Sequence, residues 1–226
     1  MSSKSRKERE KEQRREQILD AAEQIFIEKG LESVRMDEVA EKAELSKGTL
    51  YLYFKNKNEV ALGVYIRGLM VIHQIMADEL ANPGTGMELM KRMVQVFFRF
   101  SDEHPHHFSL LVYFESAGID TLEELKNTRT MNMCNELGAK LHQYIRRAIQ
   151  IGIQDGSIRP DVGIDSTAIQ ILASIRGLIQ LSSFHERGVF MAPMLDSLGV
   201  GIQRLIDDYF KFLLLALSPD KNDRKS

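Results

Sequence analysis

Cysteine is almost absent from this chain of 226 residues, which contains only Cys134. A single cysteine excludes an internal disulfide and any metal site built from several cysteines. Tryptophan is lacking, and only five prolines interrupt the chain. No run approaches the roughly 18 consecutive apolar residues that predict a membrane-spanning helix. The first 17 residues are polar and lack the apolar core of a secretory signal. We therefore expect a cytoplasmic protein with no membrane segment.

Charge of either sign is not in large excess, since the formal net charge is −2. Nucleic-acid-binding domains are often basic, so the net charge of the whole chain argues mildly against DNA binding. The local charge differs, because residues 1–15 hold seven lysines and arginines against three glutamates. Residues 45–58 hold three lysines and no acid. Salt screens charges beyond about 10 Å, so local basic faces are sufficient for binding phosphate. The charge pattern permits DNA binding without requiring it.

Apolar residues recur at helical spacing along the chain, and no alternating strand pattern persists. The sequence therefore predicts an all-α protein with about nine helices, three of them in a small N-terminal part and six in a larger body. The predicted helices span residues 12–29, 37–43, 47–53, 56–80, 86–103, 106–116, 121–154, 165–186 and 194–217. We place the boundary between the two parts after residue 58.

Two short predicted helices, 37–43 and 47–53, are joined by a short turn, which is the arrangement of a helix-turn-helix. The packing positions are apolar: Val39, Ala40, Ala43, Leu50 and Phe54. Ser46 is suited to cap the second of these helices. Its exposed residues would be Lys47, Gly48, Thr49, Tyr51 and Tyr53. Gly48 lowers helix propensity by about 1 kcal/mol relative to alanine, which favours close approach by another molecule. Lysine and tyrosine donate to phosphate oxygens or base edges.

These residues resemble the TetR family of bacterial transcriptional regulators. The resemblance is carried by Ile18, Leu19, Asp20, Ala21, Ala22, Phe26, Lys29, Gly30, Val39 and Ala40, and above all by the run Leu45-Ser46-Lys47-Gly48-Thr49-Leu50-Tyr51-Leu52-Tyr53-Phe54-Lys55-Asn56-Lys57. It covers residues 14–62 closely, and elsewhere it rests on length and helix layout. It implies a DNA-binding domain at 1–58, with a basic arm at 1–11, and an effector-binding and dimerisation domain at 59–226. It further implies a homodimer that binds a palindromic operator in double-stranded DNA.

The resemblance also implies roles for individual residues. The third helix would lie in the major groove, with Lys47, Gly48 and Thr49 nearest the bases and with Tyr51 and Tyr53 on the DNA backbone. Lys57 would hold a phosphate at the start of the fourth helix. Arg35, where the family usually has threonine, could reach another phosphate. Two alternatives stay open: both tyrosines as ordinary surface residues, and the basic arm as a solvated tail rather than a minor-groove contact.

Glu44 departs from the family pattern, which usually has glycine at this position in the turn. A left-handed backbone at a residue with a side chain costs about 1 kcal/mol. If Glu44 is left-handed, the motif is therefore weakened slightly but not broken.

The larger body is apolar on more than one helix face, which indicates either plain core or the lining of a pocket. Nine of the eleven methionines lie beyond residue 69, and methionine suits adaptable apolar surfaces. We predict a small hydrophobic effector, with a lining of Met93, Phe97, Tyr113, Met131, Asn135 and Ser174. The last two helices would form the dimer contact, as the resemblance implies. The small residues that would allow close helix approach there are Ala173, Gly177, Gly199 and Gly201.

Other chemistry is not expected. His104, His106 and His107 cluster at a helix break without the ligand spacing of a metal site. Cys134 is more typical of a small buried hydrophobe than of a redox sensor. The sequence contains no phosphate-binding loop or nucleophile motif, so we expect neither an enzyme nor a cofactor. Two rival interpretations remain, an enzyme whose substrate occupies the pocket and a dimeric adaptor that no longer binds DNA. The sequence does not distinguish repression from activation.

Overall fold

The structure is a computed structural model that describes residues 6–115, 123–186, 188 and 191–219. Within these ranges the chain forms helices and no β-strand, which confirms the all-α prediction. The helices are α1 (Arg6–Lys29), α2 (Met36–Lys42), α3 (Lys47–Tyr51), α4 (Lys57–Ala81), α5 (Gly86–Glu103), α6 (Pro105–Glu115), α7 (Arg129–Gln154), α8 (Ile164–Glu186), α9 (Ala192–Leu198) and α10 (Ile202–Leu217).

Helix α1 begins at Arg6, six residues earlier than predicted. Residues 6–11, expected as an arm, therefore extend the helix. Their alternating charges support this extension, since the Arg6 guanidinium donates to the Glu10 carboxylate one turn later at 2.8 Å. Lys4, part of the predicted arm, lies outside the described residues.

The predicted helix 121–154 is interrupted, and α7 begins only at Arg129. Asn127 has a φ of 64°, a left-handed conformation that ends the preceding turn. The Thr128 hydroxyl then accepts a hydrogen bond from the Met131 amide at 3.0 Å, as an N-terminal cap does. The capping box expected at Thr121 lies outside the described residues.

The predicted helix 194–217 is also divided, into α9 and α10. Gly199 adopts a φ of 62° and ends α9, and Gly201 precedes the first turn of α10. A left-handed helix end favours glycine because glycine has no Cβ to clash. No atom lies within 4 Å of a Cβ built on either glycine, so the close approach of helices expected there between subunits stays a prediction.

The chain divides into two compact units. Unit 1 contains the residues up to 69 together with 104–135, and unit 2 contains residues 70–103 together with those from 136 onward. Helices α4 and α7 contribute to both units. Helix α6 and the start of α7 thus pack with the N-terminal helices, which the local sequence pattern does not indicate. The domain boundary after residue 58 stays a prediction.

In unit 1, charged groups join α1 to α4. The Arg67 guanidinium of α4 donates to the carboxylates of Glu16, Asp20 and Glu23 on α1, at 2.7, 2.8 and 2.7 Å. Apolar residues beneath them are buried, among them Ile18 and Leu19. This packing fixes the direction of α1, against which α2 and α3 are built.

A second polar contact in unit 1 is buried. The Arg15 guanidinium donates to the Thr130 hydroxyl at 3.0 Å, and this hydroxyl donates to the Glu59 carboxylate at 3.3 Å. The other Glu59 oxygen accepts from the Lys55 amide at 2.8 Å. Arg15 also lies 4.8 Å from the centre of the Phe54 ring. The first turn of α7 is thereby bonded to α1 and to the start of α4.

In unit 2, the start of α5 lies against the end of α7. A Cβ on Gly86 would lie 2.0 Å from the Gly152 amide nitrogen, so only glycine fits there. The first amides of α5 donate to side chains that follow α7, Gly86 to Asp155 at 2.8 Å and Met87 to Ser157 at 3.0 Å. The free amides of a helix start are thus satisfied.

Among the described residues, α4 is the one helix with the length and composition of a membrane span. Its apolar residues do not form an uninterrupted run, because Arg67 lies among them, so the length of apolar runs did not predict it. However, 61% of the most apolar 18-residue window of α4 is buried inside the protein. That burial is typical of a core helix.

Glu44 has a φ of 54°, which confirms a left-handed backbone in the turn between α2 and α3. We expect Glu44→Gly to raise the free energy of unfolding by up to about 1 kcal/mol, because relief of the side-chain clash exceeds the entropy that glycine loses on folding. Chemical denaturation measures this change. As a matched control, Glu41→Gly on the exposed face of α2 should lower the stability by about 1 kcal/mol. A loss of stability in both variants would contradict the strain at Glu44.

Candidate nucleic-acid interface

Helices α2 and α3 are held together by a buried apolar contact and a bonded turn. Val39 on α2 and Leu50 on α3 are fully buried. In the turn, the Leu45 amide donates to the Ala40 carbonyl at 2.9 Å. The Ala43 carbonyl accepts from the Gln17 side chain of α1 at 2.8 Å. The helix-turn-helix expected from the sequence is therefore present, with its turn tied to α1.

The start of α3 is capped by Ser46, as predicted. The Ser46 hydroxyl accepts from the Thr49 amide at 3.1 Å and lies 2.8 Å from the Thr49 hydroxyl. The cap stabilises the start of the five-residue helix α3. It also provides one hydrogen-bond partner for the Thr49 hydroxyl. The Thr49 side chain is half-buried as a result of its position beside the turn.

The four residues of α3 other than the buried Leu50 form what we call the α3 surface: Lys47, Gly48, Thr49 and Tyr51. Tyr51 is 43% exposed. A Cβ on Gly48 would meet only the Ser46 hydroxyl, at 3.9 Å, so the backbone there is open to close approach. These groups offer an ammonium, a hydroxyl, a phenol and bare backbone, which together suit phosphate oxygens and base edges.

Lys47 has an intramolecular partner that the sequence analysis missed. Its ammonium lies 2.7 Å from the Asp37 carboxylate at the start of α2. The hydrogen bond to Asp37 raises the pKa of Lys47, so the ammonium stays charged. Both side chains are more than half exposed, and exposed ion pairs of this kind are worth about 0–1 kcal/mol. A DNA phosphate or base can therefore replace Asp37 at small cost.

The other predicted DNA contacts also lie in unit 1, in different settings. The Lys57 ammonium donates to the carbonyls of Leu31 and Glu32, at 3.0 and 2.9 Å, and so holds the chain that follows α1. Arg35 precedes α2 with its side chain largely exposed. Tyr53 is half-buried. No local pattern indicates that Lys57 is engaged, because its partners are backbone atoms 25 and 26 residues away.

The residues predicted to line an effector pocket belong to both units. Met93, Phe97 and Ser174 are in unit 2, and Tyr113, Met131 and Asn135 are in unit 1. Met93 and Phe97 are buried, and the Ser174 hydroxyl donates to the Gln170 carbonyl. The Tyr113 hydroxyl donates to Asn58 at 3.1 Å. A shared pocket for these six residues stays a prediction.

Two concavities occur within unit 1. A cavity of about 60 Å³ lies between α1, α4 and α6, beside His107 and Leu110. A wider groove of about 520 Å³ follows α1 and the turn at Glu44, and it is mostly polar. The six predicted effector residues line neither of these two spaces. The first is too small for a drug-sized ligand, which needs roughly 300 Å³ or more.

Leu52 was not singled out from the sequence, yet 79% of this leucine is exposed, directly after α3. The signal was present in the spacing, since Leu52 is four residues beyond Gly48 and two beyond the buried Leu50. The positions expected to be buried around α3 are Leu50 and Phe54, and Leu52 lies between them on the opposite side of the helix.

Comparison with known proteins agrees with this geometry. The family described as bacterial regulatory proteins, tetR family, matches residues 18–64. An uncharacterized HTH-type transcriptional regulator of Bacillus subtilis, YhgD, is 29% identical over 148 residues, covering 65% of this chain and 73% of that protein. The fatty acid metabolism regulator protein of the same organism is 25% identical over 166 residues, covering 70% and 78%.

A solved structure shares the fold. The transcriptional regulator FadR from Bacillus subtilis, in complex with stearoyl-CoA, superposes with a TM-score of 0.63 at 17% identity, covering 89% of this chain and 98% of that one. The relatives named here are transcriptional regulators, which confirms the expectation that the protein is not an enzyme. The helix-turn-helix of α2 and α3 lies within the matched residues 18–64, and the chain is similar to bacterial regulatory proteins of the tetR family.

Proposed function

We propose that this protein is a transcriptional repressor that binds a palindromic operator as a homodimer in the cytoplasm and is released by a small hydrophobic effector. The observation that carries the proposal is the α3 surface, whose four residues include no acid and which the Ser46 cap and the buried Leu50 hold in place. A dimeric adaptor that no longer binds DNA would not need this surface.

In the proposed complex α3 enters the major groove. Lys47, Gly48 and Thr49 contact base edges, and Lys47 exchanges Asp37 for the DNA. Tyr51 and Tyr53 donate to phosphates. Lys57 keeps its two carbonyl partners and directs its remaining N–H at a phosphate, with the positive end of α4 behind it. Arg35, which is already exposed, reaches the backbone beside them.

The proposed dimer contact is an exposed apolar face of α8 and α10. On α8, Ile169, Ala173 and Gly177 are exposed at a spacing of four residues, and nothing lies within 4 Å of a Cβ on Gly177. On α10, Phe212 is 71% exposed and Leu215 is 73% exposed. Two helices from each subunit would bury these side chains in a four-helix contact. A two-fold dimer presents two copies of α3, which is why we expect a palindromic operator.

The proposed effector is apolar. Unit 2 carries buried methionine and phenylalanine on α5, including Met93 and Phe97, and methionine adapts to varied apolar ligands. FadR of Bacillus subtilis, similar in fold, is seen in complex with stearoyl-CoA. A long-chain acyl-CoA is therefore the first compound to test. Helix α4 has residues in both units, so its displacement by the effector would alter the spacing of the two α3 helices and lower operator affinity.

The α3 surface should make DNA binding measurable and sensitive to salt. We expect the purified protein to bind its own upstream intergenic DNA tightly and more weakly at higher salt, because phosphate contacts release counterions. Lys47→Ala/Tyr51→Ala should weaken binding at least about tenfold. Fluorescence anisotropy at two salt concentrations measures both effects. Lys57 is left unchanged, because its loss would also release Leu31 and Glu32.

Lys140→Ala is the control for this experiment, since Lys140 is an exposed lysine on α7 and its loss changes the charge by the same amount. Binding by the control and not by the double variant supports the α3 surface. If the native protein binds neither its upstream DNA nor a pool of genomic fragments, the adaptor interpretation replaces the repressor.

The second prediction concerns assembly. Phe212→Glu/Leu215→Glu should convert the dimer into a monomer, because charges at the centre of an apolar contact oppose burial. Light scattering at micromolar concentration should give twice the chain mass for the native protein and the chain mass for the variant. Both positions are highly exposed in the single chain, so the variant should keep its helical circular dichroism. A native protein that is monomeric under these conditions argues against the proposal.

The third prediction concerns release. Saturating stearoyl-CoA should raise the melting temperature, because a ligand of the folded state stabilises it, and should weaken operator binding. Coenzyme A without the acyl chain is the matched control and should do neither. Stabilisation by small polar metabolites alone would contradict a hydrophobic effector.

A further inference from the structure

We propose that Leu52 contacts the 5-methyl group of a thymine in each operator half-site and so helps to set the operator sequence. This inference rests on the proposed function, since it requires α3 to lie in the major groove. It adds an apolar contact to a set of predicted contacts that are otherwise polar or made by glycine backbone.

The exposure of Leu52 is the first observation. At 79%, it is the most exposed large apolar side chain among the residues that the structure describes. Its backbone is helical, with φ −72° and ψ −21°, and its amide donates to the Thr49 carbonyl at 3.1 Å. The helical geometry of α3 therefore extends through Leu52, although the helix bounds end at Tyr51.

The direction of Leu52 follows from that geometry. With 3.6 residues per turn, each residue is rotated by about 100° from the last, so a residue two positions away lies about 200° around the helix. Leu50 is fully buried and marks the inner side. Gly48 and Leu52 therefore share the outer side, one turn apart, with Thr49 and Tyr51 on the flanks.

Gly48 leaves room beside Leu52. Because Gly48 has no side chain and is open to solvent, nothing on the preceding turn separates the leucine from an approaching surface. The backbone of α3 can then lie deep in the groove, with the leucine as the side chain that projects beyond it. Leu52 therefore lies next to the predicted base contacts at Lys47, Gly48 and Thr49, one helical turn beyond Gly48.

The chemistry of leucine selects its partner. The side chain has neither donor nor acceptor, so it gains nothing from phosphate oxygens or from most base edges. The major-groove edges of the base pairs carry donors and acceptors, and thymine adds one apolar group, its 5-methyl. Contact between Leu52 and that methyl group removes two apolar surfaces from water. A thymine at one fixed position of each half-site is the partner that fits.

The test combines a protein variant with a change of a single methyl group in DNA. Each thymine of the half-site is replaced in turn, symmetrically, by deoxyuridine, which keeps every hydrogen bond and lacks the methyl group. Affinities of the native protein and of Leu52→Ala are measured by fluorescence anisotropy. At one position we expect the native protein to lose about fourfold per half-site, the effect of one unburied methyl group. Leu52→Ala should bind the thymine operator more weakly and lose nothing further with deoxyuridine at that position.

Met70→Ala is the matched control. Met70 is also an exposed apolar residue, and it lies in the part of α4 that belongs to unit 2. It should respond to deoxyuridine as the native protein does. Thermal unfolding of Leu52→Ala should match the native protein, because so exposed a side chain contributes little to stability. Equal deoxyuridine effects in the native and Leu52→Ala proteins at every position would overturn the inference and leave the repressor intact. Absence of any specific binding by the native protein would overturn both.

Discussion

The buried guanidinium of Arg15 is the constraint on which unit 1 depends. A buried charge is strongly destabilising unless it is paired and hydrogen-bonded. Here the charge is satisfied through the Thr130 hydroxyl, which passes a hydrogen bond on to Glu59, while the Phe54 ring lies against the guanidinium. The arrangement requires α1, the end of α3, the start of α4 and the start of α7 to be in place together. A displacement of α7 at Thr130 therefore acts directly on the chain that leaves α3.

Local signals in the sequence were sufficient for much of the fold and for the site. The Ser46 cap, the glycine at the end of α1 and the run from Leu45 to Lys57 each depend on residues a few positions apart, and the structure contains all three. The left-handed backbone at Glu44 followed from a departure within the same run. The all-α class followed from helical spacing alone.

Contacts between distant residues could not be predicted in this way. Arg15 and Thr130 are 115 positions apart, and nothing near either residue indicates the other. The break at Gly199 lies within continuing apolar spacing, and the break at Asn127 has no glycine or proline to mark it. At the site, Lys57 was expected to be available and is bonded to carbonyls, and the exposure of Leu52 was not predicted, because its sequence neighbours Leu50 and Phe54 are buried. The effector residues were chosen by helix position, which does not specify the unit to which each belongs.

Under the proposed function, the ion pair between Lys47 and Asp37 affects how the protein searches a genome. The Asp37 carboxylate binds the Lys47 ammonium as a phosphate would. Every random stretch of DNA must therefore compete with this carboxylate for the ammonium. At the correct site, base contacts offset this competition, but at random sites nothing does. The exchange costs the same at the operator and at random DNA, so it leaves the ratio of the two affinities unchanged. It shortens the stay on each random site, and these sites outnumber operators by about a millionfold or more.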